Sequence, residues 1–488
     1  MSGDIRFLLG GEARRLDDIG PTLTVLNYLR EVERRCGTKE GCAEGDCGAC
    51  TVVLGELDGG RIRYRAVNAC LLFVAALDGK QLITVEDLAG ADGSLHPAQR
   101  AMVECHGSQC GFCTPGFVMS QFALYKSTSA PSVETINDAL AGNLCRCTGY
   151  RPIVAATRRM YEYGESDRFA EAEATTAGRL QALRRDETVE LRRGDRRFFA
   201  PATLDALADL VARHPEAHIL AGGTDLGLLV TKEHRDLGTV IYLGRVEELC
   251  RLRTGDTHIE IGGAVTYGDA AGALAAHYPD FGEVIRRLGS VQIRNLGTLA
   301  GNLATASPIG DTPPLLMALD ARVVLRRGTE RRETALDDFF VDYRKSALRS
   351  GEFIERIRLP LPAEGEQFRA YKLSKRFDQD ISAVCGAFRL TLDGDKLRDA
   401  RVSYGGMAAT PKRARRCEKA LIGRTWNSAT AQAAMAAMAD DFAPISDLRA
   451  SARYRLLAAQ NLLWRCYLET GEDEGVATRV LACGGGHG

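Results

Sequence analysis

Long apolar runs are missing from this sequence. None approaches the roughly 20 residues that cross a bilayer, so no membrane association is expected. The opening residues, Met1 to Arg6, hold no basic segment followed by an apolar one. No export signal is read there, and a cytoplasmic protein is expected. A surplus of either charge is missing too: 63 basic residues face 64 acidic ones, leaving a net charge of −1. That balance argues against a nucleic-acid partner and against an acidic solvating tail. Tandem repeats are absent. The eight histidines show no H-E-x-x-H or H-x-x-E-H spacing, and no Ser–His–Asp or paired-carboxylate machinery is read, so no catalytic side chain is assigned. At 45% hydrophobic and 26% charged over 488 residues, the composition is globular and the length suits three or four domains.

Cysteine is what the chain has in excess. There are fifteen, an odd number, and ten of them precede residue 150. Cys250, Cys385, Cys417, Cys466 and Cys483 stand singly. Disulfide scaffolds are small and secreted, and this chain is neither. Clustered thiols in a reduced compartment read as metal or cluster ligands.

Cys42, Cys47 and Cys50 follow a C-x4-C-x2-C pattern, and Cys70 comes nineteen residues later. This is the plant-type ferredoxin spacing for a 2Fe–2S cluster. Gly41, Gly45 and Gly48 interleave with the ligands, which lets backbone N–H groups turn toward sulfur. A zinc site prefers paired C-x2–4-C knuckles and fits poorly. Cys36 falls outside the pattern. The second set is Cys110-x2-Cys113 with Cys145-x-Cys147. Helical stretches flank both pairs, so two helix-terminal turns would offer two thiolates each, and helix N-termini would favour an anionic cluster. By spacing alone, zinc competes here. A ferredoxin-like neighbour makes a second redox centre the better reading. Cys105 is taken as structural.

Two glycine-rich stretches follow. Leu220, Ala221, Gly222, Gly223, Thr224, Asp225, Leu226 and Gly227 succeed a strand-like His218-Ile-Leu. Consecutive glycines let amides approach a pyrophosphate, although this is not the G-x-G-x-x-G fingerprint and the turn alone more often reads as a plain strand–loop connection. Residues 293–311 form a long run of small and polar residues able to lie along an extended dinucleotide. The pattern of strands, helices and punctuation divides the chain into a mixed α/β unit (1–82), a helical unit (83–163), a linker (164–195) rich in Ala, Glu and Arg, an α+β unit (196–365), a second α+β unit (366–470) and a disordered tail (471–488).

The segments Gly41-Cys-Ala-Glu-Gly-Asp-Cys-Gly-Ala-Cys-Thr, His106-Gly-Ser-Gln-Cys-Gly-Phe-Cys-Thr-Pro-Gly and Gly142-Asn-Leu-Cys-Arg-Cys-Thr-Gly-Tyr-Arg-Pro-Ile resemble the iron–sulfur half of the xanthine oxidase family of molybdenum hydroxylases. The two glycine-rich stretches resemble its FAD domain. The resemblance implies a multidomain α+β architecture: a β-grasp 2Fe–2S ferredoxin domain, a four-helix 2Fe–2S domain, an FAD-binding domain and a flavoprotein C-terminal domain. It implies that residues 220–227 carry the pyrophosphate and ribityl contacts. Thr298, Gly301, Asn302, Thr305, Asp311, Ile354 and Lys372 fall on further FAD positions. Gln109 matches a glutamine beside the pterin of the molybdenum cofactor; its plain reading is a polar cap of the loop. Lys372 to Ile381 match a loop that governs NAD access, or form a solvated charged turn. Leu288 is the position nearest to an aromatic ring that often stacks on the flavin, so the stacking residue stays open.

The fused order resembles the small subunit of bacterial xanthine dehydrogenases. That implies a molybdopterin-binding large subunit as partner, a heterotetramer of two small and two large subunits, and NAD as electron acceptor. The implied route runs from the partner's molybdenum centre, where xanthine or hypoxanthine is oxidised, through the helical-domain cluster and the ferredoxin-type cluster to FAD. The same relay would equally serve an aldehyde or N-heterocycle hydroxylase. A zinc-bearing scaffold without enzymatic activity is the alternative of another class.

Overall fold

The computed structural model describes residues 3–164, 166–471 and 478. The first sheet has five strands in the order Glu12–Leu16, Ile5–Leu9, Gln81–Ile83, Thr51–Asp58, Arg61–Asn68. The pair Ile5–Leu9 and Gln81–Ile83 is parallel and its neighbours are antiparallel. This is the small mixed unit expected at the N-terminus. The first helix is short. Thr24 caps Val25–Asn27, accepting from the Asn27 N–H, and the chain then widens into a π-type turn at Tyr28–Val32.

Four helices follow: Pro97–Glu104, Thr114–Ser127, Val133–Leu140 and Arg151–Arg159. Their ends carry ordinary stop and start chemistry. His96 and Gln99 form a capping box, Ser132 caps the third helix, and Pro97, Pro115 and Pro152 occupy first-turn positions. Phe117, Phe122, Ile136 and Ile153 pack onto Val53, Ala66 and Ile83 of the first sheet. The helical unit therefore sits on the face of the sheet rather than beside it.

Residues 164–195 correct the linker expectation. They hold helices Arg168–Glu171 and Glu173–Leu183 and the strand Val189–Arg193. Ala, Glu and Arg are good helix formers, so the composition that suggested a linker also suits a helix. Within helix Glu173–Leu183 only Ala177 and Leu180 are buried, against Leu8 and Ile62, and so narrow a stripe leaves little periodicity. Strand Val189–Arg193 pairs with Arg196–Ala200 and opens the next sheet.

That four-stranded sheet runs Val189–Arg193, Arg196–Ala200, Thr239–Tyr242, His218–Leu220. A five-stranded sheet follows, ordered Leu252–Thr254, His258–Gly262, Phe353–Pro360, Arg322–Arg327, Glu330–Ala335. The last unit is a four-stranded antiparallel meander, from Glu366–Leu373 to Lys412–Arg413, backed by Ala452–Thr470 and shorter helices. The expected disordered tail lies, save Gly471 and Thr478, outside the described residues. Among the described residues no helix is long and apolar enough to cross a membrane.

Asp167 ties the helical unit to the segment that leaves it. It accepts from His96 Nε2 at 3.0 Å, Lys126 Nζ at 2.8 Å and the Ala170 N–H at 2.8 Å. His96 Nδ1 accepts from the Ala98 N–H, so Nε2 carries the donated proton. Burial pushes the Asp167 carboxyl up, but these donors outweigh it and hold it at about 2. Removing one member of a buried pair costs about 3–5 kcal/mol, so Asp167→Asn should lower the denaturation midpoint accordingly. A depressed carboxylate stabilises the fold above its ordinary pKa. In the parent this contribution should fade as pH falls from 3.8 to about 2, and the asparagine variant should lack that acid-dependent step.

Candidate functional site

The first thiol loop is built by positive-φ turns. Gly45 and Gly48 have φ of 79° and 69°. The turns aim the N–H groups of Glu44, Asp46 and Cys47 at the Cys42 sulfur, at 3.3–3.4 Å. Cys42 returns its own N–H to the Cys47 sulfur at 3.4 Å. The hydrogen bond from Cys47 and the three N–H groups lower the Cys42 thiol to about 5, against burial. Cys50 and Cys70 form a second, buried pair. In the helical unit Cys110 and Cys147 sulfurs lie 3.7 Å apart, Cys145 and Cys147 3.9 Å apart, and Cys113 interacts with Cys145. Cys113 is the N-cap of helix Thr114–Ser127.

All fourteen described cysteines are free thiols. Two irons sharing four thiolates require pairs, and the first set presents two, Cys42 with Cys47 and Cys50 with Cys70. In the second set the four sulfurs form one group, which suits a two-iron cluster or a single tetrahedral ion.

The two thiol loops touch. The Leu144 N–H donates to the Cys47 carbonyl at 3.0 Å, and Leu144 is bonded directly to Cys145. Asn143 Nδ2 donates to the Gly48 carbonyl at 3.0 Å. Exposure differs between the sets. Cys50 and Cys70 are buried, whereas Cys110 and Cys147 are exposed beside Phe112, Leu144 and Tyr150, which are exposed as well. Tyr150 has φ of 67°, and its phenol oxygen accepts the Cys145 N–H at 3.0 Å. Gln109 is exposed on the Cys110 loop.

The glycine-rich stretches line one cleft of about 990 Å³, at the large end of the ligand-cavity range. Ala221 to Leu226, Thr298, Gly301, Asn302, Thr305, Asp311, Ile354, Lys372 and Leu288 all border it. Leu220 and Gly227 do not. Leu220 points into the core shared with the first sheet, and Gly227 lies against Leu71. The 220–227 turn is closed by the Gly227 N–H donating to the Gly223 carbonyl (2.7 Å) and the Leu228 N–H donating to the Asp225 carbonyl (3.1 Å). The N–H groups of Gly222 to Asp225 take no part in that closure, which suits them to an anionic group. Gly223 has φ of 75°, and a Cβ there would lie 3.1 Å from the Leu71 carbonyl oxygen.

Several expected contacts are partly spent inside the chain. Thr298 caps a helix, Thr305 donates to the Gly301 carbonyl, and Asn302 accepts from Thr312. Lys372 is buried and donates to Asp311 at 2.6 Å and Ser382 at 2.9 Å. Loop 374–381 closes one side of the cleft. Arg287 donates to the carbonyls of Lys372 and Phe377 and stacks 4.2 Å from the Phe377 ring, while Gln379 reaches the Ala141 carbonyl of the helical unit. Sequence reading missed Tyr267, the hairpin residues Tyr343 and Arg344, and Glu44 to Asp46 as cleft lining. The last three place the first thiol loop in the wall of the cleft. Their proximity to the cysteines was legible; their meeting with residues near 220 was not.

Three family models match. Residues 84–158 match a [2Fe-2S] binding domain, 192–362 the FAD binding domain in molybdopterin dehydrogenase, and 369–470 the CO dehydrogenase flavoprotein C-terminal domain. The chain is similar to xanthine dehydrogenase of Emericella nidulans, at 32% identity over 90% of this chain and 36% of the relative. It is similar to xanthine dehydrogenase/oxidase of Gallus gallus, at 31% over 90% and 38%. It thus spans little more than a third of these curated relatives. Among solved structures, reconstituted CO dehydrogenase from Oligotropha carboxidovorans aligns with a TM-score of 0.53 and 27% identity, covering 57% of this chain and 97% of that one. Quinoline 2-oxidoreductase from Pseudomonas putida 86 aligns at 0.51 and 26%, covering 55% and 94%.

Gly223→Ala tests the cleft. It forces a left-handed backbone worth about 1–2 kcal/mol and crowds Leu71. Flavin content of the purified chain should fall severalfold while iron content stays at the parental value.

Proposed function

We propose that this chain, the iron–sulfur and flavin part of a molybdenum hydroxylase of the xanthine dehydrogenase type, is an electron relay from a molybdopterin-binding partner subunit to NAD. Bound at these loops and in this cleft, two 2Fe–2S clusters and FAD supply stepwise one-electron transfer that ends in hydride transfer to NAD. The residues of the chain hold, space and insulate those groups. Cys110, Cys113, Cys145 and Cys147 form the outer site, and Cys42, Cys47, Cys50 and Cys70 the inner one. The N–H groups of Gly222 to Asp225 take the pyrophosphate. Loop 374–381 borders the approach of the nicotinamide.

One observation carries this order: the Leu144 N–H to Cys47 carbonyl bond, 3.0 Å long, links the outer thiol loop to the inner one. Its supports are the exposure of Cys110 and Cys147 to a partner and the position of Glu44 to Asp46 in the cleft wall. The exposure of Gln109 beside Cys110 supports a contact with the partner's pterin. Likeness to xanthine dehydrogenases favours xanthine as the partner's substrate. Likeness to quinoline 2-oxidoreductase favours a second reading, an N-heterocycle hydroxylase with the same relay. A substrate panel with the partner present separates the two.

The purified chain should be brown-red, with two distinct iron–sulfur EPR signals and flavin absorbance; a flavin-free or zinc-only protein defeats the relay. With the partner, Cys110→Ser should abolish xanthine-driven NADH formation. The same variant should keep NADH-driven dye reduction, which needs only the cleft. Loss of both activities, or of neither, contradicts the proposed order.

A further inference from the structure

Gln292 lies on the short helix Val291–Arg294, next to Ile293 of the flavin cleft wall, and its side chain is fully buried. Its amide nitrogen stands 3.1 Å from each of three acceptors: Thr51 Oγ1, Ser120 Oγ and Asn143 Oδ1. These belong to three different parts of the relay. Thr51 follows Cys50. Ser120 lies on the helix that Cys113 caps. Asn143 stands two residues before Cys145.

The orientation of the amide is forced by its neighbours. Thr51 Oγ1 spends its proton on the Gly48 carbonyl at 2.6 Å, and Ser120 Oγ donates to Asn143 Oδ1 at 2.6 Å. Asn143 Nδ2 donates to the Gly48 carbonyl at 3.0 Å and reaches Thr51 Oγ1 at 3.3 Å. Every hydroxyl proton in the group is committed, so only a donor from Gln292 fits the acceptors that remain. Gln292 Oε1 finds no partner and faces Gly142, where an added Cβ would lie 2.1 Å away. A buried acceptor left unmatched is costly, a cost that an apolar residue of equal size would not carry.

We propose that Gln292 is a positioning residue for electron transfer: its amide locks both thiol loops and the wall of the flavin cleft into one register. The inference rests on the relay reading above. Apolar packing at this junction would permit sliding. Two N–H donors directed among acceptors on three separate segments do not.

The test is Gln292→Met in the full-length chain, a change close in size that removes the donors. Iron and flavin contents should match the parent. In the fully reduced protein, the magnetic interaction between the two iron–sulfur EPR signals should change. After pulse-radiolytic reduction, arrival of the electron at the flavin should slow severalfold. A merely structural residue would lower the melting temperature and leave both readouts at parental values, which would overturn the inference. If Gln292→Met fails to load its cofactors, Ser120→Ala decides: it removes one acceptor and should move both readouts the same way by less, and unchanged readouts there overturn the inference too. A parent chain lacking two iron–sulfur signals would overturn the relay reading itself, and is distinguished by being absent before any substitution.

Discussion

Main chain meets main chain where the two thiol loops cross, and the rest of the site depends on that contact. A Cβ on Gly48 would lie 2.1 Å from the Gly142 carbonyl oxygen, and one on Gly116 would lie 2.3 Å from that of Gly48. Side chains at either place would force the helical unit away from the sheet. With hydrogen atoms there instead, the backbones approach closely enough for Leu144 to reach the Cys47 carbonyl. The glycines of this loop therefore serve two ends. Some turn N–H groups toward sulfur, and Gly48 lets a second loop come to rest against the first.

The units are not beads on a string. Inter-domain faces within a chain are usually small and fairly polar, and domains move accordingly. Here Leu220, Val240 and Tyr242 of the four-stranded sheet share one apolar core with Ile5, Phe7 and Val52 of the first sheet. Phe368, Ala370 and Ala387 of the last unit join the core of the five-stranded sheet. Continuous cores resist hinge motion, because close-packed side chains cannot slide without opening voids. A relay gains from that rigidity, since the spacing of its parts is fixed during folding and needs no domain closure.

The thiols were legible because their chemistry lies in local spacing: a ligand loop of three cysteines and two short pairs can be read within a few residues of each other. The glycine-rich stretches were legible for the same reason, although not in detail. Leu220 was counted as a ligand contact from its place in the run, yet strand alternation turns it into the core. Residues 164–195 misled because helix-forming composition without a wide apolar stripe looks like a spacer, while scattered single anchors (Phe169, Leu180, Val189 and Leu191) seat it in three different cores. Gln292 was invisible. Its partners lie between 149 and 241 residues away in sequence, and a lone glutamine carries no pattern until tertiary structure brings its acceptors together.

Burial gives the assembly a direction. The inner thiol set includes two buried sulfurs and its loop borders the cleft; the outer set has two exposed sulfurs and lies away from the cleft. Large apolar side chains seldom gather on a surface without a partner to cover them, and Phe112, Leu144 and Tyr150 gather around the outer set. Leu144 belongs to both sides of this arrangement. Its side chain stands at the surface beside the exposed thiols, while its N–H is bonded inward to the inner loop. One residue thus joins the face open to a partner to the interior connection, and a covalent and hydrogen-bonded route inward begins at the position where a partner would cover the chain.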